Sequence, residues 1–132
     1  GGKMEDRGNH RQNIGRLGED MACDLLRDMG HTVLERNWRS GHLEIDIITF
    51  DKDGIHFVEV KTRSRNIQAP PQTNVDKIKQ RHITNAALRF LKSRNGIPYG
   101  DYECHFDIVA VTFEGDRCIT EWIPQAYIPI YL

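Results

Sequence analysis

Apolar residues recur every three or four positions over residues 13–29. Ile14, Leu17, Met21, Ala22, Leu25 and Leu26 form one stripe, which predicts an amphipathic helix. Gly30 is placed to end it. From residue 32 the period shortens to two. Residues 32–39 alternate apolar and polar as a half-buried strand does. Residues 43–50 (LEIDIITF) predict a second strand, with Leu43, Ile45 and Ile47 on one face and Glu44, Asp46 and Ile48 on the other. Asp51-Lys52-Asp53-Gly54 is a hairpin turn, and residues 55–63 form the returning strand, with Phe57, Glu59 and Lys61 on one face. Residues 64–74 contain Pro70-Pro71 and read as a loop. Residues 75–93 return to a helical period through Val75, Ile78, Ile83, Ala86, Ala87, Phe90 and Leu91, stopped by Asn95-Gly96-Ile97-Pro98. A strand over 103–113, a turn at 114–116 and a partner strand over 117–123 follow. The order αβββαββ predicts an α+β or mixed α/β domain, a central mixed sheet flanked by helices.

Composition narrows the picture. The 132 residues suit one domain, with residues 13–132 forming it. Residues 1–12 are polar and glycine-rich, and Gly1-Gly2-Lys3 ahead of Met4 reads as a tag remnant, so this stretch is expected to be disordered. Lys and Arg number 18 against 19 Asp and Glu, which argues against a wholly basic coat but leaves room for a basic patch. No apolar run reaches the ~20 residues of a membrane span. Cys23, Cys104 and Cys118 form no C-x-x-C pair, which fits a reducing cytoplasm and suggests neither a disulfide framework nor a zinc site. No phosphate-binding glycine loop is present, so no nucleotide cofactor is expected. The six histidines show no H-x-H or H-x-x-x-H spacing and read as incidental.

The chemistry concentrates in two short stretches, Glu44-Ile45-Asp46 and Glu59-Val60-Lys61. A turn at Lys52-Asp53 pairs residues whose numbers sum to about 105, which sets Asp46 opposite or near Glu59. Facing acids repel, unless a divalent cation with oxygen ligands lies between them. Lys61 beside them would act as a point charge on a phosphate. Alternatively, these residues are a solvated charged face of the sheet, and pattern alone leaves both readings open. Gly15 and Gly18, in the first turns of the first helix, mark either a frayed start or a close approach of backbone or ligand.

The arrangement Asp46, then Glu59-x-Lys61 after a hairpin, resembles the D…(D/E)xK signature of restriction-endonuclease-like nucleases. The closer resemblance is to the YraN-type family of predicted endonucleases, whose fold is similar to that of Holliday-junction resolvases. It rests on residues 15–22 (GRLGEDMA), 34–39 (LERNWR), 44–48 (EIDII) and 57–63 (FVEVKTR), with weaker matches at 79–81 and 106–109. Two departures stand out: Leu43 where the family usually has glycine, and residues 66–71 (NIQAPP) where it has a phenylalanine-glycine element. The resemblance implies a restriction-endonuclease-like core and a Mg²⁺- or Mn²⁺-dependent endodeoxyribonuclease, acting on branched or duplex DNA in repair or recombination. Asp46 and Glu59 would be metal ligands, Glu19 would complete the acidic cluster, Glu44 would support a second metal, and Lys61 would position the attacking water.

The polar face of the second helix carries Lys77, Lys79, Gln80 and Arg81, with Arg36, Arg39, Arg63 and Arg65 elsewhere. Such charges are an ordinary solvated face or, beside an acidic cleft, a phosphate-tracking surface concentrated on one side of the domain. A non-catalytic nucleic-acid-binding module of the same fold is the alternative. A homodimer would supply two cuts, its contact formed by the apolar tail at 127–132 unless that tail closes the monomer's own core.

Overall fold

Five strands form one sheet in the order β1-β2-β3-β4-β5. They are β1 (Thr32–Ser40), β2 (Leu43–Asp51), β3 (Gly54–Ser64), β4 (Cys104–Glu114) and β5 (Arg117–Ile123), with helices α1 (Gly2–Asp28) before β1 and α2 (Lys77–Lys92) between β3 and β4. The structure is a computed structural model describing residues 2–64 and 75–127, with side chains from residue 13 onward. The β3–β4 pair is parallel and the other three are antiparallel, so the α+β order αβββαββ holds, consistent with a restriction-endonuclease-like core.

Each helix covers one face of the sheet. Ala22, Cys23 and Leu26 of α1 pack on Ile47, Val58, Val109 and Val111. On the other face, Ile83, Ala86, Ala87 and Phe90 of α2 pack on Leu43, Ile45, Ile48, Phe57, Phe106 and Ile108. Phe57 and Phe90 are fully buried, and each contributes about 3 kcal/mol by leaving water. Trp38 caps this core with its ring edge-on to Phe90, centroids 5.4 Å apart. Helix α2 starts at Lys77 because the Asp76 side chain accepts from Lys79 N at 2.8 Å. Val75 is buried just ahead of the helix.

The hairpin register is the expected one: Asp51 pairs with Gly54 and Ile47 with Val58, both sums being 105. The face assignment within β2 is corrected. Leu43, Ile45 and Ile48 all face α2, whereas Ile47 faces α1. The alternation therefore slips at Asp46-Ile47. Opposite it in β1 stands Asn37, whose φ is +52°, while the register shift of the β1–β2 pair lies between Val33 and Glu35. Arg36↔Ile47 and Trp38↔Ile45 are paired on either side. Helix α1 extends back to Gly2, into the stretch left outside the predicted helix. Leu17 and Ile78, assigned to apolar stripes, are exposed. The loop expected at 64–74 and the tail beyond residue 127 lie outside the described residues, apart from Ser64, which ends β3. Where the tail begins, Ala126 N donates to Phe106 O at 2.8 Å and the Tyr127 ring packs on Phe106.

At Gly18 neither open reading holds as stated: what comes close is neither backbone nor ligand but the side chain of Thr62. A Cβ there would collide with the Thr62 side chain, while one at Gly15 meets nothing within 4 Å. Gly18→Ala is expected to destabilise the protein by about 1–3 kcal/mol, against the helix preference for alanine. Gly15→Ala should stabilise by about 0.5–1 kcal/mol. Urea melts check both, and Thr62→Ala should rescue Gly18→Ala.

Candidate functional site

The β2–β3 ladder stops at Ile47↔Val58. One residue further the strands part, and the Val60 N–H, with no strand carbonyl opposite, donates to Asp46 Oδ2 at 2.9 Å. The Asp46 carboxylate thus occupies the opening between the strands, where the slip in β2 has turned it toward α1. It lines a pocket of about 320 Å³ with Gly15 and Glu19 of α1 and Val60 and Thr62 of β3.

Glu59 meets Asp46 from the other side of this opening, and its carboxyl donates a hydrogen bond to the Asp46 carboxylate. Burial, then the charge of Asp46, push the Glu59 carboxyl up to about 7. Burial also raises Asp46, although the Val60 N–H opposes it. Lys79 Nζ lies 3.8 Å from Glu59 Oε1, and Lys61 adds a weaker favourable charge. Hard oxygen donors held together and sharing a proton fit a divalent cation, which would take the proton's place.

Glu19 reaches the pocket already paired. Arg36 Nε and Asn37 Nδ2 donate to its Oε1 at 3.0 and 2.8 Å, and Arg36 Nη2 also binds Asp20. Glu44 faces Arg39 at 3.6 Å. Among the described residues, neither Glu19 nor Glu44 joins Asp46 and Glu59 in a convergent three-ligand group.

The expected phosphate-binding residues divide between the faces. Arg36 is tied to α1. Lys79 stands at the acid pair on the α2 side, and Arg63 donates to Thr112 Oγ1 at 3.2 Å. Gln80 turns its amide inward to Val75 O at 2.6 Å. Lys77 and Arg81 are exposed on α2. Arg65 lies outside the described residues. Among the described residues, Arg36 thus lies on the α1 side, and Lys77, Lys79 and Arg81 lie together on α2.

The profile of the family described as "Uncharacterised protein family UPF0102" matches residues 18–111, a span that takes in α1 from Gly18, the hairpin and its acids, α2 and most of β4. The chain belongs to the UPF0102 family. It is 39% identical over 118 residues to a UPF0102 protein of Geobacter metallireducens, covering 89% of this chain and 94% of that one. A UPF0102 protein of Trichlorobacter lovleyi is 40% identical over 124 residues, covering 91% and 94%. One from Nitratidesulfovibrio vulgaris strain DP4 is 39% identical over 117, covering 89% and 85%. No helix among the described residues of this UPF0102 chain is long and apolar enough to cross a membrane.

Sequence reasoning missed a second polar cluster, and its reading of the histidines as incidental is corrected. His31, His56 and His105 are buried. Asp107, wholly buried on β4, accepts from His56 Nδ1 at 2.6 Å, Trp122 Nε1 at 3.3 Å and Gln125 N at 2.9 Å. Burial pushes the His56 imidazole down, but the bonds to Asp107 and Asp51 more than reverse this and raise it. Burial, then the neighbouring His56, lower His31. The signal available in sequence was the strand placement of His56 and Asp107 within runs of Ile, Val and Phe, where a polar residue needs a buried partner.

Proposed function

We propose that this UPF0102 protein is a Mg²⁺- or Mn²⁺-dependent endodeoxyribonuclease acting on branched or structured DNA. The observation that carries the reading is the Asp46–Glu59 carboxyl pair, held at the opening between β2 and β3 with two lysines in reach. Asp46 and Glu59 would hold the metal. Glu19, bound by Arg36 and Asn37, would act from across the pocket through water. A bound divalent ion would polarise the scissile phosphate and lower the pKa of an attacking water. Lys61, two residues along the same face from Glu59, would orient that water and offset charge building on the phosphate. Lys79 would exchange its carboxylate partner for a DNA phosphate once the metal neutralises Glu59.

Incubation with Holliday junctions, flaps, single strands and duplexes in Mg²⁺ or Mn²⁺ tests the reading. Cleavage of at least one branched substrate is expected, lost in Asp46→Asn and Glu59→Gln and reduced about 100-fold or more in Lys61→Ala. Wild-type inactivity on every substrate with both metals, or full activity in Asp46→Asn, sinks it.

Binding has its own signature. Replacing Lys79 and Arg81 by alanine is expected to weaken affinity similarly for all sequences. Each lost phosphate contact should reduce the log–log salt slope on duplex DNA by about 0.9. Fluorescence anisotropy across a salt series measures it, and an unchanged slope moves the DNA surface off α2.

A further inference from the structure

We propose that His31, Asp51 and His56 form a second, separate metal site, selective for a Zn²⁺-class transition metal. His31 follows the end of α1, while Asp51 and His56 stand on the two arms of the β2–β3 hairpin. Their ligand atoms all lie within 4.8 Å of one another. Asp51 Oδ1 is 2.8 Å from His56 Nε2, and Asp51 Oδ2 is 3.2 Å from His31 Nε2. A tetrahedral zinc ion with bonds of about 2.0–2.1 Å sets its ligand atoms roughly 3.3 Å apart, so small shifts would admit one.

The surroundings of the two rings carry the argument further. His31 Nδ1 is bonded to Thr49 Oγ1 at 2.7 Å, and His56 Nδ1 to Asp107 Oδ2 at 2.6 Å. Each imidazole is thereby fixed through one nitrogen, with the other aimed at the same carboxylate. This is how outer partners orient metal-binding histidines and raise their basicity. The His56 ring is also stacked on His105, centroids 4.6 Å apart. The local charge fits as well: Asp51 and Asp107 bring two carboxylates, which a dication with two neutral imidazoles would balance. Asp51, with 12% of its side chain exposed, is the open side, where water would complete the coordination. Nitrogen donors disfavour Mg²⁺. Glu59 is three residues along β3 from His56, about 10 Å away, so this site is independent of the acid pair. Its effect would be to clamp the end of α1 to the hairpin.

The test uses the full chain stripped with EDTA and titrated calorimetrically with Zn²⁺ alone and Mg²⁺ alone. Wild type and Glu59→Gln are expected to share one tight Zn²⁺ site of equal affinity, whatever weaker binding the acid pair adds in the wild type, and to melt higher with it. His31→Gln and Asp51→Asn should bind at least ten-fold more weakly, with metal-free melts confirming that each is folded. Co²⁺ should give the visible bands of a tetrahedral nitrogen–oxygen site without thiolate charge transfer. No Zn²⁺ binding, undiminished affinity in Asp51→Asn, loss of binding in Glu59→Gln, or thiolate bands implicating the cysteines would each overturn the proposal. If His31→Gln does not fold, Asp51→Asn and the wild-type cobalt spectrum decide it. The result is independent of whether the chain cleaves DNA.

Discussion

Glu59→Gln is expected to melt roughly 5–10 °C above the wild type at pH 8 in metal-free buffer. The reason is the proton that Glu59 shares with Asp46. Its folded pKa is about 7 against an ordinary 4.5, so between those values the native state binds more protons than the unfolded chain. Stability tied to this group is therefore full below pH 4.5, falls as pH rises through the window, and is gone above about 7. The loss is on the order of 3 kcal/mol. Glutamine carries no titrating proton, keeps a donor for the Asp46 carboxylate, and removes the repulsion between the acids. The two proteins should converge near pH 4.5 and separate as pH rises. Thermal melts across this range check it, and a wild-type curve parallel to the variant's would remove the shared proton. Mg²⁺ should narrow the gap at pH 8 by stabilising only the wild type.

Asp107→Ala should be the most damaging substitution on the opposite flank, destabilising by about 3–5 kcal/mol. It strips the partner from His56 Nδ1, the Trp122 indole N–H and the Gln125 backbone N–H at once. Asp107→Asn should cost less, because its amide oxygen still accepts. The pH dependence carries a sign. His56 has a folded pKa above its ordinary 6.5, so the stability of its charged pairs is present below 6.5 and lost as pH rises through the folded value. The Asp107→Ala deficit should accordingly be larger at pH 5.5 than at pH 8.5. A deficit that is the same at both would show that His56 is neutral in the native protein. Denaturant unfolding at the two pH values distinguishes these outcomes.

The hairpin register was legible because Asp51-Lys52-Asp53-Gly54 allows little choice. Gly54 adopts φ +133°, and a Cβ there would strike the Glu103 carbonyl. With the turn fixed, Asp46 had to come near Glu59. What could not be read was the slip beside Asp46. Ile45, Ile47 and Ile48 are all buried, and both faces of the sheet are covered, so strict alternation leaves no trace of a change of face. The histidine cluster escaped for a related reason. Its members are close in space through the parallel pairing His56↔His105 and Val58↔Asp107, which no local spacing encodes. At Gly18 neither reading held as stated, because the Thr62 side chain that approaches it is far along the chain.

The parallel β3–β4 pairing divides the molecule by sequence distance. Strands β1, β2 and β3 follow one another through tight turns, whereas Ile55 meets Cys104 only after the chain has passed through α2. Closing that excursion consumes loop entropy before any contact rewards it, and non-local pairings of this kind slow folding. The meander bearing Asp46 and Glu59 can thus form early on local contacts, while His56 waits for Asp107 until the crossover docks. Nascent chains emerging from a ribosome would carry the two acids in a nearly complete hairpin while two of the five strands were still missing.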